Sequence, residues 1–505
     1  MIKALKRNFL YQLSQIYYHR PFVQKRFSHN HHFDQSKFHY LINSINQNKS
    51  NPSDQVEFLQ VLNKTIENDR QFMDVHVQEL ATNLLIDILN EQKIERCKEV
   101  DENCRLGLAL LGYTPPLQTE YLRILSIDGG GIRGILVIEL MRRLEELTGK
   151  RVFELFDFIC GVSTGAIFVC GLASDINRTL MDGKRIYKEV SKKVFHLPST
   201  FDMLSGTSRL MWSHAYYDVQ LWEKLLKETT SEQRIIETSK SGKIPKFCCV
   251  STTVSEDAID AHVFRNYILP WNVESIYNGS HTAALWEVVR CSSAAPTYFG
   301  DYILNNQVHQ DGGVLYNNPS CVAIHEAKLL WPNQKLCLVS IGTGRSPNKK
   351  KVDSQKLYLA NDVNKMFKEE LVQTSSWKTK FMRILDAATD TEQTHHILSE
   401  TKDIIQTSTW KTKFLRIIES ATDTEKTHRI LSDLMEPGTY FRFNPYLTQM
   451  ISMTECNPEK WKQLENDAMM YYRRNEHKFE ELAEKLLQPR SSITTLNDML
   501  FKRFV

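Results

Sequence analysis

FDFICGVSTGAIFVCGLA, residues 156–173, is the stretch on which the fold turns. A hydropathy window would take it for a membrane span. Asp157 and the glycines at 161, 165 and 171 interrupt it, however, and a bilayer-crossing helix needs about 20 predominantly apolar residues. It reads instead as a short apolar strand, a tight turn GVSTG, and the first turns of a helix. The same plan stands just upstream. YLRILSID (121–128) is a strand, GGGIRG (129–134) a glycine turn, and ILVIELMRRLEELTG (135–149) a helix with Gly149 placed as its C-cap. KFCCVSTTV (246–254), HVFRNYI (262–268) and LCLVSIGTG (336–344) supply further strands between helical or loop stretches. Strands alternating with helices define an α/β fold with a mostly parallel, helix-covered sheet. Function in such sheets collects at the carboxyl ends of strands, where these glycine turns sit.

Outward from this core, residues 118–345 read as the α/β domain and 55–117 as a helical region. In the latter, Leu59, Leu62 and Ile66, then Leu80, Leu84 and Ile88, recur at helical spacing. Residues 34–54, rich in Asn and Ser, read as a polar linker. Residues 1–33 hold no acidic residue but carry Lys3, Lys6, Arg7, Arg20, Lys25 and Arg26 among apolar residues at helical spacing. That pattern favours a mitochondrial targeting segment, with a merely basic disordered tail as the plain alternative; a secretory signal would need a continuous apolar core. Residues 346–505 read as a helical C-terminal region. Within it 373–400 and 406–433 are identical at 20 of 28 positions with a period of 33 residues. Two copies are too few for a solenoid, so the unit reads as a local duplication without chemistry of its own.

A net charge of +3 and the lack of any base-reading motif exclude a nucleic-acid partner. The ten cysteines form no C-x-x-C pair, and neither histidines nor acidic residues fall at metal-ligand spacing, so neither disulfide framework nor metal is expected. No cofactor is expected either.

Three motifs carry chemistry. In Gly161-Val162-Ser163-Thr164-Gly165, glycines two before and two after a serine allow the sharp strand-to-helix elbow that exposes a nucleophilic oxygen. In Gly129-Gly130-Gly131-Ile132-Arg133-Gly134, bare amides after a strand can hold an oxyanion. The same spacing fits a dinucleotide fingerprint, for which Glu154 or Asp157 would be the ribose-binding acid. Arg133 is a candidate for a lipid phosphate, with a structural salt bridge as the equal alternative. In Asp311-Gly312-Gly313 an aspartate in a glycine turn can reach a serine directly; an Asx turn is the plain alternative, and His309, two residues away, is a rival base.

Taken in order, G-G-G-x-R-G, G-x-S-x-G and D-G-G resemble the patatin-like phospholipases, and within them the calcium-independent A2 enzymes of gamma type. RILSIDGGGIRG, VRCSSAAPTYF, DGGVLYNNPS and YFRFNP carry the likeness, which runs from about residue 55 to the C-terminus. The resemblance implies a three-layer α/β/α core and a Ser163–Asp311 dyad with no catalytic histidine. It also places an oxyanion hole on Gly129, Gly130 and Gly131. The implied activity is calcium-independent hydrolysis of fatty-acyl esters in membrane glycerophospholipids through an acyl-enzyme, at a membrane surface that basic residues from Arg345 to Lys351 would touch. A lipid transacylase and an inactive membrane scaffold are the alternatives. Two features depart from the family pattern: Ile132 stands where threonine is usual, and the duplicated unit is extra.

Overall fold

The computed structural model describes residues 34–47, 51–91, 97–195, 217–255, 258–296, 298–345, 424–449 and 451–492. The basic segment 1–33, the first copy of the repeat and most of the second lie outside them.

Nine strands form one sheet. They are β1 (Leu122–Ile127), β2 (Phe158–Val162), β3 (Lys246–Val254), β4 (Ile259–Arg265), β5 (Asn278–Ser280), β6 (Tyr302–Leu304), β7 (Gln307–Asp311), β8 (Leu336–Ile341) and β9 (Tyr440–Phe443). Their order is β5-β4-β3-β2-β1-β8-β9, with β7 paired to both β3 and β6. The central run β3-β2-β1-β8-β9 is parallel throughout. Helices cover both faces, which is why β1 and β2 are buried at every residue. Alternation sorts the side chains. Leu122, Ile124, Phe158, Cys160 and Val250 pack with helix Ser320–Leu330. Leu125, Ile127, Ile159 and Cys249 pack with helices Gly134–Thr148, Thr164–Ala173 and Leu285–Ser292. The expected α/β/α layering is thus observed, and Gly149 caps its helix at φ 66° with its amide on Glu145 O.

The placement of β7 decides the site. On one edge of β3 lies β4, antiparallel from Cys248 to Val254. The other edge is shared: β2 occupies Lys246 to Val250 and β7 continues along Ser251 to Val254. The β6–β7 hairpin turns on Asn305 and Asn306, at φ 51° and 62°, the left-handed pair that a two-residue hairpin requires.

Two boundaries are corrected. Residues 35–47, expected within a polar linker, form a helix whose Phe38, Leu41, Ile42 and Ile45 are buried. Spacing at i, i+3, i+4 and i+7 makes an apolar stripe in spite of the polar composition around it. That helix joins Pro52–Asp69, Val75–Asn90 and Lys98–Leu110 in a separate apolar cluster that reaches the sheet domain at Ile236. The C-terminal region is likewise not all helix. β9 adds an edge strand beside β8, and helices Pro458–Arg474 and Glu476–Leu487 complete the main core. Among the described residues no helix is long and apolar enough to cross a membrane.

Phe443 on β9 is fully buried, its ring centroid 4.3 Å from that of Phe479. If the late strand is integral to the sheet, Phe443→Ala should cost about 3–5 kcal/mol. Urea unfolding followed by circular dichroism measures this; a loss below about 1 kcal/mol would show β9 to be a detachable appendage.

Candidate active site

Val162, the last residue of β2, lies opposite Val250, and Asp311, the last of β7, lies opposite Ser251. One residue beyond Val162 the chain reverses at Ser163, with φ 52° and ψ −111°. A residue with a Cβ at positive φ is strained, and the strain is held by neighbours. The Ser163 amide donates to Ser292 Oγ at 2.9 Å, and the Ser292 hydroxyl donates to Val250 O at 2.6 Å. The following helix starts at once, close under β1: a Cβ on Gly165 would stand 2.4 Å from Ile127 O. Gly161 faces Gly165 backbone at similarly short range, so both elbow glycines are needed for close approach.

The Ser163 hydroxyl donates to Asp311 Oδ2 at 2.7 Å. The second carboxylate oxygen accepts the Gly313 amide at 2.7 Å, and the Asp311 amide is fixed on Ala294 O at 2.9 Å. Burial pushes the Asp311 carboxyl up to about 6, against the lowering effect of its bonds from Ser163 and Gly313. Its carboxylate is therefore a far better base at neutral pH than an exposed aspartate. His309 points elsewhere. Its Nδ1 pairs with Ser251 Oγ at 2.9 Å, and burial lowers it to about 4. The group bonded to Ser163 is Asp311, not His309.

The glycine turn lies alongside. A Cβ on Gly129 would come within 3.2 Å of Ser163 Cβ. The three expected oxyanion donors are not equivalent, however. The Gly129 amide already donates to Asn317 O at 3.2 Å. Among the described residues the amides of Gly130 and Gly131 make no hydrogen bond, which leaves two of the three expected donors uncommitted. Gly131 has φ 54°, and a Cβ there would strike Met453 O. Its carbonyl accepts from Thr164 Oγ1 at 3.0 Å and from the Tyr187 hydroxyl at 2.5 Å, which ties the loop to the nucleophile's helix. Arg133 lies half-buried in the turn Gly131–Arg133 just before helix Gly134–Thr148. The candidate ribose acids are otherwise engaged. Asp157 grips Arg123 through both oxygens, at 2.7 and 3.0 Å, and Glu154 accepts the Arg151 amide at 2.9 Å. Among the described residues no group of three His, Cys, Asp or Glu gathers as a metal would require.

Two contributors escaped the sequence reading. Ser292 stabilises the elbow from 129 positions away; it lies inside the resemblance-bearing VRCSSAAPTYF but shows no local signal. Asp128 was read only as the end of a strand, yet it forms a fully buried ion pair with Arg442.

A serine on a strained strand-to-helix elbow, bonded to a buried aspartate beside free glycine amides, defines a serine–aspartate site on an α/β scaffold. Comparison with known proteins adds to this: residues 125–324 match the family model described as patatin-like phospholipase. Two similar proteins named calcium-independent phospholipase A2-gamma, from Oryctolagus cuniculus and Homo sapiens, are each 38% identical over 397 residues, 78% of this chain and 43% of theirs. The protein of Arabidopsis thaliana named phospholipase A I is 32% identical over 49% of this chain and 22% of its own. The chain spans less than half the length of these relatives.

Ser292→Ala removes the acceptor for a nearly buried amide on a strained residue, and should cost about 1–3 kcal/mol. Thermal unfolding measures this; an unchanged Tm would mean that the elbow does not need that bond.

Proposed function

We propose that this chain is a calcium-independent phospholipase that hydrolyses fatty-acyl esters of membrane glycerophospholipids, with phospholipase A2, A1 or lysophospholipase outcome. The observation that carries the reading is the 2.7 Å hydrogen bond from Ser163 Oγ to Asp311 Oδ2. The family match at residues 125–324 and the relatives' names support the substrate class.

In the first half-reaction Ser163 Oγ attacks the ester carbonyl carbon while Asp311 takes the hydroxyl proton. The oxyanion is stabilised by the amides of Gly130 and Gly131. Collapse breaks the carbon–oxygen bond to glycerol, and Asp311 returns the proton to the departing lysolipid alkoxide. In the second half a water loses its proton to Asp311 and attacks the acyl carbon; the serine oxygen leaves and is reprotonated, releasing fatty acid. A lysolipid hydroxyl taking the place of that water would give transacylation by the same residues, so product analysis with and without acceptor separates the two. The intact contact between Ser163 and Asp311, with the carboxyl raised by burial, favours a hydrolase over an inactive scaffold. The segment 1–33 supports import into mitochondria, and the substrate implies peripheral association with membrane. Arg133 remains the candidate for the lipid phosphate.

Ser163→Ala should reduce release of fatty acid from phospholipid vesicles, in chelator, to background, and Asp311→Asn should lower kcat by about 10²–10⁴-fold. Activity comparable to wild type in either variant would sink the dyad. Because the carboxylate is the working form and is raised to about 6, kcat/KM should be flat above about pH 7 and fall roughly tenfold per pH unit below 6. A rate that stays flat down to pH 4 would mean that another group is the base.

A further inference from the structure

Arg442 lies on β9, more than a hundred positions past the segment that matches the family. Its guanidinium reaches beneath the start of the glycine turn and holds Asp128 with two parallel bonds, at 3.0 Å to Oδ1 and 2.7 Å to Oδ2. Both side chains are 1% exposed. The same guanidinium donates to Ser340 Oγ at 2.9 Å and to Glu425 Oε1 at 3.2 Å. Glu425 in turn pairs with Arg345 at 2.9 Å and accepts from Asn444 at 2.8 Å. Asp128 immediately precedes Gly129, and besides the bonds to Asn317, Thr164 and Tyr187 already described the turn has two more ties. Thr343 Oγ1 donates to Gly129 O at 2.7 Å, and the Ile132 amide donates to Met453 O at 2.8 Å.

We infer that Arg442 is a positioning residue: by its fork on Asp128 it holds the start of the glycine turn whose Gly130 and Gly131 amides are the proposed oxyanion donors. This rests on the hydrolase reading above and deepens it. Oxyanion donors act only when pre-aimed, because an amide that must swing into place loses its advantage over water. Gly130 and Gly131 have no side chains to anchor them, so their aim depends on the bonds to the turn's carbonyls, from Thr343, Arg133, Thr164 and Tyr187, and on the residues that bracket it, Asp128 and Ile132. A planar two-pronged pair fixes orientation as well as distance, which a lysine could not do. The helix Thr424–Leu434, which carries Glu425, belongs to the second copy of the repeat. That copy therefore supplies a charge to the network.

The test compares full-length wild type with Arg442→Lys and with the charge-neutral double variant Asp128→Asn/Arg442→Gln. The substrate is a soluble short-chain ester and the oxyanion probe a fatty trifluoromethyl ketone, whose tetrahedral adduct is followed by fluorine NMR. Both variants are expected to fold, as read from Tm and circular dichroism. Each should lose about a hundredfold in kcat, the order expected when reacting geometry slips by an ångström, with KM within about threefold. Affinity for the ketone should fall by the same factor as kcat. The inference is overturned if the lysine variant keeps wild-type kcat, if the double variant recovers it, or if either fails to fold, since the pair would then serve charge balance or stability alone. Ser163→Ala is measured in parallel. Activity surviving in that variant would remove the hydrolase reading itself, whereas a dead Ser163→Ala beside a fully active Arg442→Lys removes only the positioning role.

Discussion

One edge of β3 accommodates two strands end to end, β2 as far as Val250 and β7 from Ser251 onward. Everything at the site depends on that succession. The serine leaves the end of β2 and the aspartate ends β7, so their side chains meet at the join although 148 positions separate them. Register in a sheet has a period of two, and a slip of one residue in either strand would send one of the pair to the opposite face. The site is thus as well defined as the ladder that carries it, which is buried on both sides.

The surroundings convert this meeting into usable chemistry. Ser163 could not hold its backbone angles alone; Ser292 and the glycine-lined approach of the next helix hold them for it. Asp311 could not serve as a base at neutral pH if it were exposed. Burial raises it, while the Gly313 amide and the serine hydroxyl keep its two oxygens oriented. The glycine turn could not aim its amides without its neighbours, and these come from the far end of the chain through Arg442, Thr343 and Met453. The C-terminal residues are in this sense part of the same unit as the elbow.

What the sequence revealed follows from how local each signal is. Glycine turns are local, so GVSTG, GGGIRG and DGG could be read directly, as could the apolar runs that became β1, β2, β3 and β8. QVHQD gave no strand signal, because its composition is polar and its partner in the main sheet, β3, lies more than fifty residues away. The same holds for YFRF, which needs β8 beside it to be recognised as an edge. The helix at 35–47 was hidden for another reason: Asn, Gln, Ser and His dominate its composition, while only four apolar residues at helical spacing build its buried stripe. Commitment of the Gly129 amide to Asn317 is a tertiary fact that no spacing encodes.

The central claim is that Ser163 itself takes the acyl group. Rapid-quench digestion and peptide mass spectrometry of the full chain turning over a phospholipid in chelator tests it directly. The account predicts a transient fatty-acyl ester on the peptide that contains Ser163, formed before free fatty acid accumulates. Fatty acid appearing at full rate with no acyl group ever found on that serine would contradict it.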